Sequence, residues 1–120
     1  MRLCIPAADA RGLDARAHGH FGSAPCFVLV DTESGAFSTL DNRRAEHRHG
    51  HCDPAGAIAG AAVDAVLCHG MGRRALEMLS AAGIEVFTAE GDDVAGMLQA
   101  FRSGAAQRLA ADDACAGHGH

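Results

Sequence analysis

The chain has 120 residues, enough for one compact domain and too few for two self-sufficient cores. Hydrophobic residues make up 48% and charged residues 21%, a balance that excludes intrinsic disorder over most of its length. The net charge is −5, every basic residue is an arginine, and no basic run exceeds Arg43-Arg44 or Arg73-Arg74, which argues against a nucleic-acid partner.

In chain order, Leu3-Cys4-Ile5 reads as a first strand stopped by Pro6, whose missing N–H removes a ladder donor. From Ala7 to Pro25, Gly12, Gly19, Gly22, Asp9 and Asp14 predict a shaped loop, not a helix. Cys26 to Val30 and Ala36 to Leu40 are β-prone and flank a Glu33-Ser34-Gly35 turn, the pattern of a β-hairpin. Residues 41 to 52 lack apolar periodicity and read as an exposed loop. Asp53-Pro54 then resembles an N-cap followed by proline in the first turn, and the Ala-rich stretch to Ala62 predicts a helix.

Asp64 to Cys68 predicts another strand, followed by the glycine turn His69-Gly70-Met71-Gly72. A helix carrying Ala75, Leu76, Met78 and Leu79 comes next and ends at Gly83, and Ile84 to Phe87 forms a strand parallel to the previous one. Val94, Met97, Leu98 and Phe101 make one stripe of a last helix, with Asp92 and Asp93 at its positive end. The resulting expectation is an α/β domain over residues 1–104. It has a mixed five-stranded sheet and three helices covering its faces. Residues 105–120 are expected to form a flexible His/Cys tail that begins with a few helical residues.

No charged-then-apolar leader precedes Leu3, and the longest apolar stretch, residues 55–63, falls far short of the roughly 20 residues of a membrane helix. The five cysteines, at 4, 26, 52, 68 and 115, form no C-x-x-C pair. A soluble, cytoplasmic monomer with reduced thiols and no membrane partner is expected.

Histidine stands out, with eight residues, seven of them in three clusters. His-Gly-His occurs at 18–20, 49–51 and 118–120, and neutral imidazole is a good ligand for zinc, copper and nickel. His47, His49, His51 and Cys52 together would offer three nitrogens and one sulfur, the donor count of a tetrahedral metal site. Cys4 and Cys26 lie inside strand-like runs and read as structural. Cys68 ends a strand and is a candidate for the ligand edge. The turn before Arg73 and Arg74 would present free N–H groups to an anion. No G-x-x-x-x-G-K-[ST], G-x-G-x-x-G or G-x-S-x-G is found, so neither nucleotide binding nor catalysis has a positive signal.

His20-Phe21-Gly22-Ser23-Ala24-Pro25, the hairpin, Gly70-Met71-Gly72-Arg73-Arg74-Ala75 and Gly83-Ile84-Glu85-Val86 appear in an order that resembles the dinitrogenase iron-molybdenum cofactor binding and biosynthesis family, over about residues 2–104. The resemblance implies a three-layer, ribonuclease-H-like fold and non-catalytic storage or delivery of a molybdenum-containing metal-sulfide cluster. The short form with a His-rich loop and a Cys/His tail resembles members holding a mixed molybdenum-copper sulfide cluster non-covalently, and an iron-molybdenum-sulfur cluster is the other form the family implies. Such a cluster is an anion already saturated with sulfide. It therefore favours arginine, backbone N–H groups and soft contacts over direct ligands. The candidate cofactor-binding residues are Arg16, His18, His20, Cys68, His69, Gly70, Met71, Gly72 and Arg73. A protein that donates or accepts the cluster is the expected macromolecular partner. Two other classes stay open: a mononuclear copper, zinc or nickel chaperone using the His clusters, and a regulatory protein with no metal role.

Overall fold

The computed structural model describes residues 1–19, 21, 24–41 and 62–109. Of the helix expected up to Ala62 only Ala62 itself is described, in a turn at φ +60°, and the rest of it lies outside the described residues, as do the His47 to Cys52 segment and residues 110–120 of the expected tail.

Six strands form one mixed sheet. They are β1 (Arg2–Ala7), β2 (Cys26–Asp31), β3 (Phe37–Asp41), β4 (Ala65–Cys68), β5 (Glu85–Thr88) and β6 (Gln107–Arg108). Two helices are described, α1 (Arg73–Ala81) and α2 (Val94–Arg102), together with a 3-10 turn at Gly12–Asp14. The strand order is β3-β2-β1-β4-β5-β6. β1, β4 and β5 are mutually parallel, while β2 runs antiparallel to β1 and to β3, and β6 antiparallel to β5. The expected hairpin and βαβ unit are both present.

The sequence reading differs from the structure at two places. The sheet has six strands where five were expected, because residues 107–108, expected in a tail opening with helical residues, pair with Phe87 and Thr88. A two-residue exposed edge strand is held by its backbone and by the Arg108–Glu85 ion pair at 3.3 Å, so it leaves no hydrophobic alternation to read. Strand β1 also continues through Pro6 to Ala7. The Pro6 carbonyl accepts from His18 N at 3.0 Å, on the side away from β2. A strand residue directs its N–H and C=O to the same side, so the missing N–H of Pro6 costs the β1–β2 ladder nothing.

Both sheet faces are covered, as the alternation of the strands requires. On one face Cys4, Phe27, Leu29, Val66, Cys68 and Val86 pack with Leu76 and Leu79 of α1. The other face carries Leu3, Ile5, Val28, Val30, Ala65 and Leu67, which meet Val94, Met97 and Leu98 of α2. Phe101, also on α2, is half-buried and meets the Phe87 ring edge-to-face at 5.4 Å. Met78, which shares the helical spacing of α1, lies on its outer side at 47% exposure.

Candidate functional site

Because β1, β4 and β5 are parallel, the loops after all three emerge at one edge of the sheet, where open α/β sheets place their ligands. The last residue of β3 reaches the same edge, since Asp41 pairs with Cys26 and Cys26 with Ala7. The loop after β1 folds back on its own strand: Ala8 N donates to Arg16 O at 2.8 Å, and Ala7 and Ala17 form an antiparallel bridge. It is then stitched to the loop after β5. Ala17 N donates to Asp92 O at 3.1 Å, Val94 N donates to Ala15 O at 3.0 Å, and Arg16 bridges Asp93.

The loop after β4 is tied to that same third loop. Ala89 N donates to Cys68 O at 3.0 Å, and the His69 ring meets the Gly91 carbonyl through Nε2 at 2.7 Å. Gly91 and Asp92 are consecutive, so segment 89–93 joins the Arg16–His18 strip to the His69–Gly72 turn. This central segment was missed as part of the site in the sequence reading, where Asp92 and Asp93 were only a helix start. The glycine requirement at Gly91, with φ +156° and a Cβ that would lie 2.9 Å from Met97 N, shows only in the folded chain.

Within the turn, Cys68 is 2% exposed and its Sγ–H faces the Phe87 carbonyl at 3.7 Å. Burial pushes its pKa up to about 12, so it is a neutral thiol at physiological pH and not a ready thiolate donor. Met71 is partly buried against the α1-side core. Gly70 and Gly72 are different. Neither has a positive φ, and a Cβ on either would meet nothing within 4 Å among the described residues. Neither backbone strain nor packing demands glycine there, and the bare backbone borders open space. Gly19, beside His18, has the same property.

Charge at this edge is mixed. Arg16, Arg74 and Arg73 are exposed, although Arg73 Nε pairs with Glu77 at 3.2 Å. Glu90 and Asp92 are exposed carboxylates on the third loop, while the Asp93 carboxylate is occupied in capping α2 through Gly96 N at 2.7 Å. Arg16, His18 and residues 68–73 thus share one edge, whereas His20, His47, His49, His51 and Cys52 lie outside the described residues. Among the described residues no group of three or more His, Cys, Asp or Glu is placed to hold a metal ion. Cys4 and Cys26, expected to be structural, are buried. Two shallow clefts of about 210 and 220 Å³ lie elsewhere, beside β3 and between α1 and β6. No helix of the described residues is long and apolar enough to cross a membrane.

The family model described as dinitrogenase iron-molybdenum cofactor matches residues 1–104. The chain belongs to this family. Among solved structures it is similar to the apo form of the orange protein from Desulfovibrio gigas, with 29% identity, a TM-score of 0.78, and coverage of 91% of this chain and 92% of that one. It is also similar to PH0822, at 29% identity and a TM-score of 0.74 over 91% of this chain and 96% of that one. A third similar structure is the Thermotoga protein TM1290, at 26% identity and a TM-score of 0.74 over 90% and 92% of the two chains. A comparison with curated proteins finds no match. The overall fold of this chain is thus shared with these solved structures.

Proposed function

We propose that this protein is a non-catalytic carrier that binds a molybdenum-containing metal-sulfide cluster at the edge built by the loops after β1, β4 and β5. A mixed molybdenum-copper sulfide is the preferred cargo and an iron-molybdenum-sulfur cluster the other. The observation that carries the reading is the pair Gly70 and Gly72, glycines that need no positive φ and beside which a Cβ would meet nothing among the described residues. A sulfide-saturated anion approaches backbone N–H groups closely only where side chains are absent. The N–H groups opening α1 supply positive potential beside them, Arg16 is an exposed cation on the same sheet edge, and Met71 adds a soft contact.

Family membership and the likeness to the orange protein support the cargo class. The preference for molybdenum with copper rests on the resemblance of the His-rich loop and the Cys/His tail to members that hold such a cluster. In this reading the frame is the ribonuclease-H-like three-layer kind. His18, His20 and the His47–Cys52 segment supply imidazole or thiol to the rim of the cargo. Cys68, a buried thiol facing the Phe87 carbonyl, belongs to the floor of the site.

The test is a Gly70→Ala/Gly72→Ala double variant. Folding stability should change by under about 1 kcal/mol, since both methyl groups enter open space. Retention of a copper-molybdenum-sulfide chromophore after desalting should fall sharply. Full retention by this variant would remove the glycine cradle from the account.

A further inference from the structure

We propose that His69 makes one direct coordinate bond, through Nδ1, to a first-row metal atom of the cargo, with the Gly91 carbonyl as its orienting partner. The inference rests on the cluster-carrier reading and deepens it. A carbonyl oxygen can only accept, so the 2.7 Å contact between His69 Nε2 and Gly91 O requires the proton to sit on Nε2. With the proton on Nε2, it is the lone pair on Nδ1 that a metal would use, and Nδ1 has no partner among the described residues. The side chain is exposed, so nothing in the core competes for that nitrogen.

An imidazole that donates one N–H to a backbone carbonyl and keeps the other nitrogen bare has the arrangement of metal-ligating histidines, in which the carbonyl fixes the tautomer and raises the basicity of the ligating nitrogen. The carbonyl itself is held in place. Gly91 has φ +156° and lies against the backbone of Met97, a residue with 0% exposure, so packing against α2 sets where its oxygen points. On the other side, Ala89 N bonds Cys68 O, which fixes the spacing of the two loops one residue from His69. The ring therefore projects from the turn holding Gly70 and Gly72, in one tautomer, before any metal arrives.

Copper and iron accept imidazole, whereas molybdenum already saturated with sulfide has little need of it, so the bond goes to the first-row metal. The bond would form by addition of the Nδ1 lone pair to a copper or iron atom with an open coordination position, so that no existing bond is broken. The Nε2 proton stays on the ring and no oxidation state changes.

The experiment uses the full chain labelled with 15N-histidine, read by long-range 1H–15N correlation before and after loading with copper and tetrathiomolybdate. Loading is followed by the visible spectrum of the desalted protein. Before loading, His69 should show the Nε2–H tautomer. After loading, its Nδ1 resonance should shift or broaden while Nε2 stays protonated, and His69→Ala should release copper to a chelator about ten-fold faster or more. A retained chromophore with His69 Nδ1 unmoved overturns the coordination and leaves the carrier reading intact. No retained chromophore overturns the carrier reading and this inference with it.

Discussion

Met97 of α2 shows what single side chains contribute to this small frame. It has 0% exposure on the face opposite α1, and its backbone also supports Gly91. Met97→Ala should cost about 2–5 kcal/mol by urea unfolding, through lost transfer energy plus a cavity. Because Gly91 leans on it, the substitution should also loosen the loop that holds His69. At Cys68 the consequence is a pH dependence. The unfolded thiol releases its proton near 9.0, whereas the folded one keeps it until about 12. Its contribution to stability is therefore complete below pH 9 and is lost as pH rises towards 12, with a slope of at most about 1.4 kcal/mol per pH unit. Burial and the neighbouring Cys68 push the Cys4 thiol up as well, so the two act in the same direction. Urea unfolding at pH 7.5 and 10.5 should show a loss at the higher pH that Cys68→Ala reduces. Equal stability at both values would contradict the buried-thiol assignment.

At the scale of elements, α2 is anchored where the site is built. Asp93 Oδ1 accepts from Gly96 N at 2.7 Å, so Asp93→Ala should cost about 1 kcal/mol and Asp93→Asn much less, both measurable by thermal unfolding. The stripe of α2 was legible because Val94, Met97 and Leu98 repeat at helical spacing and all end in one core. The hairpin was legible for the complementary reason: β-prone runs flank a turn where Gly35 adopts φ +79° and the Asp31 carboxylate accepts from Glu33 N at 2.9 Å. Pro6 misled because the rule that proline ends a strand depends on which side its missing N–H would face, and that is fixed by a neighbour far away in sequence. β6 was illegible because its pairing is made by backbone, while Leu109, the residue that docks, stands alone in a polar stretch.

For the whole molecule, parallel strands gather loops distant in sequence, and the site belongs to that gathering more than to any one motif. Sequence pattern singled out Arg16, His18 and the 68–73 turn as candidates, since glycine, histidine and arginine punctuate strand ends, and the fold places them on one edge. It could not show that segment 89–93 joins them, because the Ala17–Asp92 and His69–Gly91 hydrogen bonds arise only when the sheet is assembled. Nor could it separate Cys68, whose thiol faces the core, from Gly70 and Gly72, whose backbone faces open space. The central claim is that this edge carries a metal-sulfide cargo as a unit. It is tested most directly by mixing apo-protein with copper and tetrathiomolybdate, desalting, and taking the visible spectrum and metal content of the protein fraction. A protein-bound chromophore containing both metals is expected. Copper retained alone, or no retained metal, would contradict the claim.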